Sequence, residues 1–267
     1  MPQQKAALIK VATELTGGFQ TMPTEPSRRI PDSDLRIEIC TEADALKIAE
    51  AFYTCFPADW WAKKEPVELR PAEHVRHALL AKRLLPVFKH PHKIIVKAVF
   101  VPTGEIIGVA GWSLPSSPEV HNLFRRSAVD HYGWQTLLGW SDAEVEDMWA
   151  HVDPDWSSEI ESHDDKRREV MNGEPHWYLA PLLTWPEYQG RGVGSRLMRW
   201  AIDQADATVP PTPMFLECMP SARAVYLHLG FEPVGGSRML RRGPRVTAEM
   251  EATKKTDLQT LKKDMGV

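Results

Sequence analysis

The run Gln189-Gly190-Arg191-Gly192-Val193-Gly194-Ser195 constrains the chain more than any other segment. Its glycines stand at every second position. An apolar stretch, Trp177–Leu183, precedes it, and an amphipathic one follows from about Gly192 to Ala205, with Leu197, Met198, Ala201 and Ile202 on one helical face. The order is strand, loop, helix. Glycines let a backbone approach a ligand closely and turn its N–H groups inward. The start of a helix adds free N–H groups and a partial positive charge. Together they make an anion site suited to a pyrophosphate. Ser195 can donate one more hydrogen bond, and Arg191 or Arg196 can add charge. The spacing is neither the P-loop GxxxxGK[ST] nor the dinucleotide GxGxxG. A nucleotide-hydrolysing reading also lacks the lysine and a carboxylate for Mg²⁺. Taken alone, the run is also compatible with an ordinary loop and a well-formed helix start.

The other elements follow from periodicity and punctuation. Residues 1–34 read as a tail: Ala6 to Leu15 can form a short helix that Gly17-Gly18 stops, and Pro23, Pro26 and Pro31 discourage regular structure. Leu35–Ile39 alternates as a half-buried strand. Thr41 is placed to cap a helix bearing Ala45, Ile48, Ala49 and Phe52, and a second helix runs from about Pro71 to Leu85. Lys93–Val101 and Glu105–Leu114, joined at Thr103-Gly104, form an antiparallel hairpin. Residues 115–173 are acidic and helical in pattern and carry Trp134, Trp140, Trp149 and Trp156. Their apolar content is too thin for a separate core, so they read as an insertion. His151, His163 and the acidic run Asp153–Asp165 read as a solvated face without metal-ligand clustering. After the glycine loop come a strand at Met214–Cys218, a helix at Ser221–Leu229 stopped by Gly230, and closing strands at Phe231–Val234 and Ser237–Leu240. The end of the chain, 243–267, reads as a mobile tail or exposed helix.

Composition excludes several classes. The 267 residues, 43% hydrophobic, suffice for one sizeable domain. A net charge of -4 offers no basic field for nucleic acid, and nothing suggests a membrane partner. The three cysteines, Cys40, Cys55 and Cys218, lack metal-ligand or CxxC spacing. With no signal-peptide pattern and no long apolar run, the expectation is a cytoplasmic protein, the nucleus not excluded.

The pattern Q-x-x-G-x-G on a strand–loop–helix resembles the acetyl-CoA signature of the GNAT superfamily of N-acetyltransferases. The lead-in Leu182-Leu183-Thr184-Trp185-Pro186-Glu187-Tyr188-Gln189 follows the family's pattern closely. So does Ala224-Val225-Tyr226-Leu227-His228-Leu229-Gly230-Phe231, in which Tyr226 stands where the family tyrosine stands. Leu216-Glu217-Cys218 through Gly230-Phe231-Glu232 looks particularly like fungal members. The resemblance is strong over about 177–236, rests on element order over 35–114, and does not reach the insertion or the tails.

The resemblance implies an α+β fold: a mixed, mostly antiparallel central sheet flanked by helices, here over 35–242, with the 115–173 insertion between the third and fourth strands. It implies acetyl-CoA as cosubstrate and no metal. The phosphates would lie on Gln189, Gly190, Arg191, Gly192, Val193, Gly194 and Ser195. The pantetheine arm would lie in a splay between central strands, against the backbone of Leu182, Leu183 and Thr184. Pro181 fits a bulge there. An amine, expected to be a small molecule, would attack the thioester directly in a ternary complex, with a backbone N–H near Leu183 polarising the carbonyl. Tyr226 would protonate the leaving thiolate, and the base would come from Glu217, Glu174 or His176. Against this stand the bland readings of Tyr226 as a core aromatic, Glu217 as an ion-paired strand residue and His176 as structural. The aromatic and acidic insertion would suit a cationic or aromatic amine. The alternative function is a CoA-binding regulatory or interaction module without catalysis.

Overall fold

Period-two alternation is what builds the centre of this protein. Along β4 (Lys93–Phe100) and β5 (Glu105–Ser113), neighbouring residues face opposite sides: Ile95 and Val109 belong to one core, Val96 and Ala110 to the other. The computed structural model describes residues 9–12, 19–22, 26–117, 126–154 and 156–244. Among them lies a seven-stranded sheet of order β3-β4-β5-β6-β7-β9-β8. The edge strands are β3 (Leu35–Ile39) and β8 (Glu232–Pro233), β9 (Arg238–Arg241) lies between β7 and β8, and the inner pair is β6 (Trp177–Thr184) and β7 (Met214–Glu217). Every pairing is antiparallel except β6 with β7. This is the mixed, mostly antiparallel sheet with flanking helices that the sequence led one to expect.

Each face carries its own helices. On the first, α8 (Val193–Asp206) buries Val193, Leu197, Met198, Ala201, Ile202 and Ala205 over β4–β6, and α9 (Arg223–His228) adds Tyr226. Substituting a fully buried leucine there, such as Leu197→Ala, costs about 2–5 kcal/mol. On the second face, α1 (Ala45–Cys55) brings Ile48, Ala49 and Phe52, and α3 (Glu73–Leu84) brings Leu80 and Leu84, against Ile95, Val109 and Leu183. A short α2 (Ala58–Ala62), absent from the sequence reading, seats Trp61, whose indole N–H donates to Phe52 O at 3.2 Å.

The insertion forms α4 (Ala128–His131), α5 (Trp134–Leu138), α6 (Asp142–Trp149) and α7 (Trp156–Met171). Among the described residues it has no separate core: Trp134, Trp140, Val145, Met148 and Trp149 join the cluster over the second face. Two sequence expectations are corrected here. Those three tryptophans are buried by packing, so they are not a surface for an aromatic acceptor. The acidic stretch is not all solvated either: Asp164 is 0% exposed and pairs with Arg167 one helical turn on at 2.7 Å, and His151 is buried 3.6 Å from Glu65. A local opposite charge is what permits the burial of Asp164.

The N-terminal segment also departs from expectation. In place of a helix over 6–15, the described residues form a hairpin of β1 (Ile9–Ala12) and β2 (Phe19–Met22). The expected C-terminal tail or helix over 243–267 falls, from 245 onward, outside the described residues.

Candidate active site

β6 has two neighbours for only part of its length. It pairs with β5 from Tyr178 to Thr184, but with β7 only from Trp177 to Leu179. Beyond Leu179 the β7 side of β6 is open. Two sequence details explain the change. Ala180 and Pro181 stand against the single residue Gly111, a bulge expected at this proline, which has no N–H for a ladder. Gly111 is also obligatory: a Cβ there would lie 2.6 Å from Ala180 O. Meanwhile β7 leaves toward β9, and Cys218 N–H donates to Ser237 O.

The ladder decides which backbone groups face the opening. Trp185 N–H donates to Ile107 O at 3.1 Å. Bonded and non-bonded pairs alternate in an antiparallel ladder. Leu183–Val109 is therefore the next bonded pair, and the backbones of Leu182 and Thr184 face the open edge. The sequence reading named a donor near Leu183; its own N–H is engaged with β5. Thr184 O is also occupied, by Gln189 Nε2 at 3.0 Å and Cys55 Sγ at 3.3 Å.

The open edge runs directly into the glycine loop. Gln189 ties the loop to the end of β6. Gly190 and Gly192 have φ of +67° and +82°, the left-handed region that disfavours other residues. Gly192 is the cap of α8, leaving the first N–H groups of that helix without intrahelical partners. Gly194 differs: a Cβ there would only touch Leu182 and Thr184 at 3.8 Å.

A strap from the segment expected as an N-terminal tail lies against this loop. Ile30 is fully buried, its N–H donates to Arg191 O at 3.1 Å, and its carbonyl accepts from Arg196. Arg196 also holds Asp32 through Nε at 2.9 Å. This seats the Arg28 guanidinium about 3.5 Å from where a Gly190 side chain would start, and the Arg29 stem 3.5 Å from the same point at Gly192. The adjacent arginines Arg28-Arg29, followed by one apolar residue, were the only sequence signal.

The remaining candidates are Glu217, Tyr226, Glu174 and His176. Glu217 ends β7, just past the last β6–β7 pair. Its Oε2 accepts from Tyr178 OH at 2.9 Å, while Oε1 is shielded from solvent and has no hydrogen-bond partner among the described residues. Burial raises its carboxyl to about 6, partly offset by Arg167. Arg167 stacks 4.3 Å from the centre of the Tyr178 ring. Tyr226, 5% exposed, packs edge-to-face on Phe231 at 5.9 Å, and burial pushes its hydroxyl upward, so it stays protonated. Glu174 is held away by Arg242 at 2.8 Å. His176 Nδ1 bonds Glu174 O at 2.8 Å, and burial lowers its affinity for a proton. A hollow of about 570 Å³ opens on this side, between Ser116, Ser117, Arg167, Met171 and His176. Among the described residues no trio of His, Cys, Asp or Glu side chains converges to hold a metal.

Comparison with known proteins bears on this arrangement. A model of the acetyltransferase (GNAT) family matches residues 46–231. No curated protein sequence matches the chain. Similar solved structures include an acetyltransferase described as histone acetyltransferase HPA2 and related, from Corynebacterium glutamicum, at 22% identity over 80% of this chain and 99% of that one, TM-score 0.47. A polyamine N-acetyltransferase of Drosophila melanogaster is 13% identical over 76% of this chain and 85% of its own, TM-score 0.46. A ribosomal-protein-S5-alanine acetyltransferase from Vibrio fischeri is 14% identical over 79% and 93%, TM-score 0.42.

Proposed function

The chain belongs to the acetyltransferase (GNAT) family, and from that premise we propose that it moves the acetyl group of acetyl-CoA to a small-molecule amine by direct attack in a ternary complex. The observation that carries this reading is continuity: an unpaired strand edge that begins at a bulge and ends on a glycine-lined helix start. An extended pantetheine arm bonds such an edge as an added strand does, here through Leu182 and Thr184. Its pyrophosphate meets the N–H groups of Gly190 to Ser195. Gly194 suits this role. Alanine would fit there in the protein alone, and glycine inside a helix costs about 0.5–1 kcal/mol relative to alanine. A close ligand gives it a use.

The chemistry then follows from charge and burial. Glu217 takes a proton from the acceptor ammonium. The freed nitrogen lone pair attacks the thioester carbon, the C–N bond forms and the C–S bond breaks. Tyr226 gives its proton to the departing sulfur, and the acylated nitrogen loses its second proton to solvent, from which Tyr226 is reprotonated, leaving an amide and free CoA thiol. Holding both reactants contributes up to about 7–11 kcal/mol. Glu217 is favoured over Glu174, which Arg242 engages, and over His176, whose buried Nε2 also lacks a partner but whose burial lowers its affinity for a proton, because Glu217 stands just past the last β6–β7 pair. A small acceptor is supported by the cover that α1, α3 and the insertion give the second face. Mixing the protein with acetyl-CoA and a panel of amines, with detection of free thiol, tests the reading. Amine-dependent thiol release is expected. Acetyl-CoA binding without release for any amine would favour a CoA-binding module instead.

A further inference from the structure

The insertion brings two buried charges up to Glu217. Along α7, Asp164, Arg167 and Met171 are buried, while Asp165, Lys166, Arg168 and Glu169 are exposed. Spacings of three and four residues put the buried ones on one helical face. Met171 packs that face on Tyr178 and Phe215 of the sheet. Asp164 and Arg167 pair on it at 2.7 Å. The Arg167 guanidinium lies 4.3 Å from the centre of the Tyr178 ring, and the Tyr178 hydroxyl donates to Glu217 Oε2 at 2.9 Å. Contacts therefore run without a break from Asp164 through Arg167 and Tyr178 to Glu217, that is, from α7 through β6 to the end of β7.

A buried ion pair often adds little stability over apolar side chains of the same volume. This pair supplies a fixed charge beside a ring. A cation over the face of a tyrosine holds the ring in place, and burial keeps the Tyr178 hydroxyl protonated, so it remains a donor. With Oε2 held, the carboxylate is oriented, and Oε1 is left without a hydrogen-bond partner among the described residues. Arg167 is the charge that most favours the ionised form of Glu217, and Asp164 opposes it. The other groups nearby contribute less. Arg238, opposite Glu217 on β9, turns its Nε to Gly235 O. Cys218 follows in the chain with its thiol pushed upward by burial. Lys93 on β4 acts on the Asp164–Arg167 pair.

We infer that α7 of the insertion belongs to the catalytic apparatus: Asp164 and Arg167, acting through Tyr178, are positioning residues that keep the Glu217 carboxylate ionised and turn Oε1 toward the acceptor's proton. This rests on Glu217 as the base of the proposed acetyl transfer. The insertion then serves the chemistry as well as covering the sheet.

The test follows the Glu217 carboxyl directly, by NMR of the whole protein isotope-labelled at the glutamate carboxyl carbons, with Glu217→Gln to assign the signal. In the wild type it should titrate near pH 6. Tyr178→Phe removes the bond to Oε2 and Arg167→Met removes the charge. Each is expected to raise the midpoint by about one pH unit, and Arg167→Lys, which keeps the charge, should restore most of it. The rate should follow, measured on phenethylamine, spermidine or lysine, whichever the wild type acetylates. The ratio of kcat/KM at about pH 6 to that at about pH 8 should fall about fivefold in both variants. A helix that only packs would lower the melting temperature and leave the midpoint in place, and that result would overturn the proposal. So would a midpoint that moves while the rate profile does not. If Arg167→Met fails to fold, Asp164→Asn with Arg167→Met leaves no uncompensated buried charge and should move the midpoint in the same direction; Tyr178→Phe decides independently. Full activity of Glu217→Gln would remove the base, and the reading beneath this inference with it. Loss of activity in Glu217→Gln with unmoved midpoints in the other variants would remove only the role of α7.

Discussion

The two sides of β6 are made of different material. The proposed cofactor side is a strand edge, a glycine loop and a helix start, so the groups it offers a ligand are mostly backbone N–H groups contiguous in sequence. The proposed acceptor side is made of side chains: Asp164, Arg167, Tyr178 and Glu217, drawn from three separate elements. A backbone site tolerates most side-chain changes and fails when the chain's conformation is altered. A side-chain site fails one group at a time. That contrast makes the account breakable.

The largest effect is expected at the base. Glu217→Gln should lower turnover by about 10²–10⁴-fold, with acetyl-CoA affinity unchanged by titration; loss of affinity instead would blur the division between the two sides. The pH profile sharpens this prediction. Burial raises the Glu217 carboxyl to about 6, and the base works only when ionised. Activity should therefore be full above that value and fall as pH drops through it, and the variant should lose this limb. Tyr226→Phe comes next, with turnover down by about 10- to 100-fold and affinity again unchanged; an unaltered rate would return Tyr226 to a core aromatic.

On the backbone side the signature reverses. Gly192→Val, at φ +82°, should strain the loop and weaken acetyl-CoA binding by about tenfold while the maximal rate at saturation changes little. The smallest effect is expected at the strap. Arg28→Ala with Arg29→Ala should weaken binding by about two- to fivefold at low salt and by less in high salt, as exposed charges are screened. Salt-independent loss would mean that the strap acts through packing rather than charge.

The same contrast explains what the sequence made legible. The strand, loop and helix around Gln189–Ser195 stand out because their spacing is local, and α8 and the β4–β5 hairpin follow from short periodicities. Tyr226 and Glu217 were identified through the second motif. Arg167 was not singled out, because only the packing of α7 against the sheet brings it to Tyr178. The burial of Asp164 was hidden for a related reason: it depends on the three-residue spacing to Arg167 within a helix otherwise rich in charge. Residues 9–12 pair as a strand despite a helical-looking neighbourhood, an instance of hairpin pairing overriding helix propensity. The strap was missed because its anchor, Ile30, is one apolar residue among prolines and arginines.

The most direct test of the central claim is isothermal titration of the whole protein with acetyl-CoA, beside ATP and NAD. The account predicts micromolar binding of acetyl-CoA and none of the other two. No acetyl-CoA binding, or equal binding of all three, would contradict it and leave Gln189–Gly194 an ordinary loop.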